Sequence, residues 1–132
     1  MVNPAEPVRR IAPDERVAQP AAGMVREQAV STPGMWAGLA FTPPGADSGW
    51  HHHGGYESTI YVVSGRMRME SGPDGGVVVD AGPGDFLYVA PGAIHRESNP
   101  TDTESQLVVV RGGGSGPPVI MVEGPASGAT AG

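Results

Sequence analysis

Residues 45–65 read GADSGWHHHGGYESTIYVVSG, and this stretch decides the fold and the function of the chain. Three consecutive histidines precede a run rich in β-branched and aromatic residues, which is the composition of a β-strand. Side chains alternate between the two faces of a strand, so His51 and His53 share one face and His52 points the other way. Two imidazoles at this spacing can converge on one metal ion. Glu57, four residues beyond His53, can add a carboxylate after a short bend.

A fourth histidine, His95, lies in the segment APGAIHRESN at residues 90–99. It would reach the first three from a distant strand, which is how a barrel closes a metal site. The chain has no cysteine, so nitrogen and oxygen donors must hold any metal. We therefore predict one divalent transition ion per chain, either Fe, Mn, Ni, Cu or Zn. Its predicted ligands are His51, His53, His95 and Glu57. A histidine cluster on a surface loop is the alternative interpretation.

The rest of the chain consists of short strand-like runs separated by glycine and proline turns. Strands are predicted near residues 24–30, 35–42, 48–53, 57–64, 66–71, 76–80, 86–90, 94–98, 105–111 and 118–123. Many short strands with such turns are typical of an all-β sandwich or barrel. We predict an N-terminal arm over residues 1–23, extended or partly disordered, a β-barrel domain over 24–123, and a disordered tail over 124–132.

Three apolar runs have more than one interpretation. Residues 77–79 and 107–110 are continuously apolar, as in strands buried on both faces or at a dimer interface. Residues 119–122 read as a last strand, at an edge of this barrel or of a partner.

Composition excludes several classes of function. The 132 residues carry a net charge of -6, with eight arginines, no lysine and no basic stripe, so nucleic-acid binding is not expected. No run approaches the ~18 apolar residues of a membrane span, and the N-terminus lacks an apolar signal segment. We predict a cytoplasmic protein, and the absence of lysine is consistent with a GC-rich bacterium.

The chain resembles the cupin family, through both motifs of that family. The first motif is matched by Gly45, His51, His53, Glu57 and Gly65. The second is matched by Gly84, Asp85, Gly92, His95 and Asn99. Two departures occur. Pro91 stands one place later than the motif proline. Seven residues rather than six separate Glu57 from Gly65, so counting back from Gly65 puts Ser58 at the carboxylate position. Either a β-bulge returns Glu57 to the site, or three histidines and water hold the ion.

The resemblance implies a double-stranded β-helix, or jelly roll, with its ion inside the barrel near one mouth. It also implies a homodimer in which terminal strands pack on the partner. Small cupins with such a ligand set include dioxygenases and Lewis-acid isomerases, cyclases and decarboxylases. We therefore predict a metalloenzyme acting on a small oxygenated or aromatic molecule. The alternative is a non-catalytic metal or ligand sensor, or an accessory protein.

Several further residues are candidates for substrate binding or proton transfer. An apolar pocket is predicted from Tyr61, Met67, Phe86 and Tyr88, which otherwise are ordinary core residues. Glu97, two residues from His95, is predicted either as a general base or as half of a surface pair with Arg96. Glu57 can also leave the metal to shuttle protons. Substrate carboxylates would bind Arg66, Arg68 or Arg96, unless these face water.

Overall fold

The computed structural model describes residues 7–21 and 24–127, and nearly all of its regular structure is β. Two single-turn 3₁₀ helices lie at Pro13–Glu15 and Pro73–Gly75. The strands are β1 (Val17–Ala21), β2 (Met24–Thr32), β3 (Met35–Thr42), β4 (His51–His52), β5 (Glu57–Ser64), β6 (Met67–Ser71), β7 (Val77–Ala81), β8 (Phe86–Val89), β9 (His95–Ser98), β10 (Ser105–Gly112) and β11 (Ile120–Met121). None of the helices in these described residues is long and apolar enough to cross a membrane.

The strands form two antiparallel sheets, so the predicted all-β double-stranded β-helix is confirmed. The six-stranded sheet has the order β1-β2-β3-β10-β5-β8, and the five-stranded sheet has the order β11-β4-β9-β6-β7. Strands distant along the chain, such as β3 and β10, lie side by side. The two motif regions meet because β4 pairs with β9 in one sheet and β5 pairs with β8 in the other.

Glycine turns set the strand boundaries where the sequence predicts them. At Gly65, between β5 and β6, φ is +76°, and a Cβ would lie 2.7 Å from the Glu104 carbonyl oxygen. Only glycine takes this conformation without strain and also leaves room for the neighbouring backbone. The turn therefore depends on glycine for two separate reasons.

Strand β1 lies within the segment predicted as an extended or partly disordered N-terminal arm. It pairs antiparallel with β2 at the edge of the six-stranded sheet. Arg16 and Glu27 form an ion pair of 2.8 Å next to this pairing. An edge strand tolerates Pro20, which has no amide hydrogen to donate. Residues 1–6, 22 and 23 of the arm and residues 128–132 of the tail lie outside the described residues.

The core lies between the two sheets and consists of side chains from alternate strand positions. Its largest fully buried apolar members are Met67, Leu107 and Val62. Burying each of these side chains contributes roughly 1.5–3 kcal/mol. Seven buried apolar side chains complete the core: Met24, Ala40, Ile60, Met69, Ala81, Val89 and Val109.

The two long apolar runs are not buried on both faces within this chain. On β10, Leu107 and Val109 are buried whereas Val110 is exposed, as expected for a strand with one core face. Residues 77–79 lie on the edge strand β7 and are all exposed. Burial on both faces is therefore wrong for both runs, and the dimer interface stays a prediction. Strand β11 adds to an edge of this same barrel, beside β4.

Candidate metal centre

Three histidines converge inside the barrel as the sequence predicts. His51 on β4 lies directly opposite His95 on β9, and His53 follows two residues after His51. Their exposed fractions are 2%, 1% and 3%, respectively. The ring centroids are 4.4–4.9 Å apart, and one candidate ligand atom from each lies within 4.8 Å of the others. His52 stays outside this group, and its Nδ1 accepts a hydrogen bond from the Gly54 amide.

Each of the three rings donates its Nδ1 proton to a backbone carbonyl. His51 donates to Gly49 over 2.9 Å and His95 to Ala93 over 2.8 Å. His53 donates over 2.7 Å to Pro118, 65 residues later in the chain. A carbonyl oxygen only accepts, so these bonds leave the Nε2 lone pairs free for an ion. The Nε2 atom of His95 is buried with no hydrogen-bond partner.

The electrostatic environment keeps two of the rings neutral. Burial lowers the pKa of His53 to about 3, and the nearby positive charge of Arg111 contributes. Burial is also the main cause that lowers the pKa of His51, although the Gly49 carbonyl and Glu97 oppose it. Neutral imidazole is the form that binds metal. The donor set, the free nitrogens and the burial therefore fit a transition-metal ion.

The structure does not bring the predicted ligand Glu57 to the histidines. Glu57 is exposed at the start of β5, and its carboxylate accepts a 2.8 Å hydrogen bond from the Tyr88 hydroxyl. The predicted bulge exists, but it lies between Val62 and Ser64. The residues before it alternate regularly, so Ser58 faces inward and Glu57 outward. The bulge therefore comes too late in the strand to turn Glu57.

Glu97 is the carboxylate that the structure places inside the barrel. It lies two residues after His95 on β9, points to the same face, and is 7% exposed. A space of about 30 Å³ lies between Glu97 and His51, and another of about 10 Å³ between Glu97 and His53. One water needs roughly 10–15 Å³, so these spaces accommodate little more than solvent. Glu97 is not the surface partner of Arg96, which pairs with Glu70 at 2.8 Å.

The predicted apolar pocket does not form. Phe86 and Tyr88 are 69% and 62% exposed, and Tyr61 packs against Phe86 on the same outer surface. Their positions on β5 and β8 alternate outward, away from the histidines. Met67 is buried, but it belongs to the hydrophobic core.

The predicted arginines also lie on the outside of the barrel. Arg68 pairs with Asp80 at 2.8 Å, and Arg66 is exposed. The guanidinium of Arg96 stacks over Trp50 at 5.0 Å in addition to its ion pair. These side chains have partners or contact solvent, and none lines the spaces beside the histidines.

A cavity that the sequence does not reveal opens beside the metal centre. We call it the arginine cavity, and its volume is about 310 Å³. That volume is at the lower end of the range for small-molecule sites. Its polar and aromatic lining comes from Gln19, Arg26, Gln28, Trp36, Tyr56 and Arg111. Arg111 had no sequence signal beyond its inward position on an alternating strand, because its partners come from distant parts of the chain.

Similarity to known proteins agrees with this geometry. A family model for the cupin domain matches residues 38–111, which is more than half of the 132 residues and includes all three histidines. A comparison with curated proteins finds no similar sequence.

Solved structures share the fold at low sequence identity. One is a conserved protein with a double-stranded β-helix domain from Klebsiella pneumoniae, 24% identical, covering 88% of this chain and 98% of that one, with a TM-score of 0.70. The polyketide cyclase RemF from Streptomyces resistomycificus is 21% identical, with coverage of 88% and 86% and a TM-score of 0.73. A predicted oxalate decarboxylase from Thermotoga maritima is 20% identical, with coverage of 79% and 98% and a TM-score of 0.66.

Proposed function

The chain belongs to the cupin family, and from this premise we propose that it is a mononuclear metalloenzyme acting on a small oxygenated organic molecule. The proposal rests on one observation, the buried triad of His51, His53 and His95. The Nδ1 atom of each ring donates a hydrogen bond to a backbone carbonyl. This arrangement leaves the three Nε2 lone pairs available to one ion.

The three histidines would hold the ion, and water or substrate would complete its coordination. When bound, a divalent transition ion supplies Lewis acidity, or dioxygen chemistry if it is redox-active. Nitrogen donors of this kind suit Fe, Mn, Ni, Cu and Zn alike, so the ligand set does not choose among them.

The protein's own contribution to chemistry is proton transfer by Glu97. Glu97 lines the spaces beside both His51 and His53. Its carboxylate accepts no hydrogen bond from a described residue and forms no ion pair with one. A free carboxylate in such a place can take a proton from a carbon next to a substrate carbonyl and return it elsewhere. We therefore place isomerisation or cyclisation ahead of dioxygenation.

A second candidate function is a non-catalytic module that binds a metal or a small ligand. The narrow spaces beside the histidines favour it, since they hold water more readily than a substrate. Activity that depends on Glu97 separates the two candidates.

Metal analysis of the purified protein tests the site. The parent and a His52→Ala control should both carry about one ion per chain, because His52 lies outside the triad. The His51→Ala, His95→Ala double variant should carry none while its circular dichroism stays that of a folded β protein. A folded parent that binds no transition metal would refute the proposal.

Proton transfer is tested separately by deuterium exchange. Small ketones, β-diketones and keto acids in D₂O should exchange α-protons with the parent. The rate should fall at least ~100-fold in Glu97→Gln, since general-base catalysis contributes about that much. Metal content should be unchanged in this variant. Oxygen uptake without exchange would favour the dioxygenase instead, and neither activity would favour the non-catalytic module.

A further inference from the structure

Two arginines face the interior from strands on either side of β3. Arg26 lies on β2 and Arg111 on β10, and both line the arginine cavity. Arg26 also lines the spaces beside His51 and His53, and Arg111 lines the one beside His53. Arg26 and Arg111 are therefore lining side chains that the arginine cavity shares with the spaces beside the histidines.

Neither guanidinium forms an ion pair with any described residue. Arg111 is only 5% exposed, and its one side-chain hydrogen bond is a long contact of 3.4 Å from Nε to the Ser58 hydroxyl. It stacks loosely on Trp36, with 5.9 Å between the guanidinium carbon and the ring centroid. Arg26 forms no side-chain hydrogen bond or ion pair with any described residue. By contrast, Arg16, Arg68 and Arg96 each pair with a carboxylate at 2.8 Å.

The charge balance of the interior is positive. Arg111 remains a cation at neutral pH although burial lowers its pKa to about 10. Glu97 is the interior carboxylate nearest in effect, since its charge raises the pKa of both Arg111 and His51. One carboxylate near two arginines leaves this region with a net positive charge, and neither arginine forms an ion pair with a described residue. A buried unpaired charge is costly unless a ligand compensates it.

We propose that Arg26 and Arg111 bind the carboxylate of a small organic acid in the arginine cavity. The apolar body of the acid lies against Trp36 and Met35, which line the same cavity. Gln28 accepts hydrogen bonds from Trp36 Nε1 at 2.9 Å and from Gln19 at 3.1 Å, so this wall is held in place before a ligand arrives. The identification of this acid as the substrate rests on the proposed function. The binding of the anion does not.

The test measures binding of benzoate and of its neutral analogue benzamide by isothermal titration calorimetry. We expect benzoate to bind the metal-free parent at least ~10-fold more tightly than benzamide. Arg26→Gln and Arg111→Gln should each weaken benzoate binding roughly tenfold or more and leave benzamide unaffected. Arg66→Gln, a matched change at an exposed arginine, should bind benzoate as the parent does.

Three results would overturn the proposal: equal binding of benzoate and benzamide, benzoate affinity retained in the Arg26→Gln, Arg111→Gln double variant, or sulfate binding as tightly as benzoate. The last would indicate a plain anion site without an organic acid. If Arg111→Gln does not fold, Arg111→Lys keeps the charge and should retain part of the benzoate affinity, and complete loss there would also count against the proposal.

The His51→Ala, His95→Ala variant separates this inference from the proposed function. It should still bind benzoate, because the arginines lie outside the triad. Benzoate binding without any metal in the parent would leave the anion site standing and remove the metalloenzyme. A parent that binds metal but not benzoate would support the metalloenzyme and rule out the anion site.

Discussion

Lowering the pH should reduce the free energy of unfolding of the metal-free protein, and His53 should be a main cause of this loss. At about pH 7.5 and above, the imidazole is neutral in both the folded and the unfolded chain, so it contributes almost nothing to the pH dependence there. Below that pH the unfolded chain takes up a proton. The folded protein does not, because burial and Arg111 lower the pKa of His53 to about 3. The free energy of unfolding therefore falls as the pH falls.

The size of the loss follows from the two pKa values. Between a pKa of 6.5 in the unfolded chain and about 3 in the folded protein, moving from about pH 7.5 to pH 5 costs ~2 kcal/mol. Residual solvent screening reduces this to about 1–2 kcal/mol. His51, whose pKa is also lowered by burial, adds a loss of the same sign.

Urea denaturation of the EDTA-treated protein at both pH values measures this loss. His53→Gln cannot titrate, so its stability should fall by about 1–2 kcal/mol less than that of the parent over the same interval. His52→Gln, an adjacent histidine outside the triad, should follow the parent. Equal losses in the parent and in His53→Gln would show that the buried ring is protonated freely, and the electrostatic account of the site would fail.

Three further predictions concern residues around the site. Ending the chain after Gly116 removes the Pro118 carbonyl that accepts from His53 at 2.7 Å; zinc affinity by competition titration should fall ~10–100-fold. A chain ending after residue 127 is the control, and equal affinity of the two would contradict the role of this carbonyl. Glu57→Gln should leave metal content unchanged, because the carboxylate is exposed; loss of the ion would return Glu57 to the ligand set. Asn99→Ala should lower the unfolding free energy by about 2–4 kcal/mol in urea, since the fully buried amide bonds two backbone carbonyls; a loss under ~0.5 kcal/mol would show that the loop repacks.

The features predicted well are those that depend on the local chain. Alternation along one strand put His51 and His53 on one face and His52 on the other, and it holds wherever the backbone is extended. Glycine and proline turns marked the strand ends, because their backbone preferences act within a few residues. The sequence did not predict β1 as a strand, because its extended backbone depends on pairing with β2 and its own composition does not favour a strand.

The carboxylate and the pocket could not be predicted in this way. Glu57 and Ser58 exchange faces according to where a single bulge falls, and the partner strand β10 sets that place. Glu97 and Arg111 are charged residues on strands with alternating burial, and the pattern alone does not predict that a charged side chain faces the interior. Phe86 shows the opposite case, an apolar residue on an edge strand that faces solvent and does not face the core.

The sequence by itself determined the all-β fold and the shared face of His51 and His53, because alternation and turn chemistry are properties of neighbouring residues. Resemblance to the cupin motifs added His95 to this set. Only the tertiary structure decided the tautomer of each ring, the inward carboxylate and the arginine pair. Those depend on contacts across long separations, such as that of His53 with Pro118, 65 residues away. Packing buries the histidine rings, and burial keeps His51 and His53 neutral, the form that binds metal.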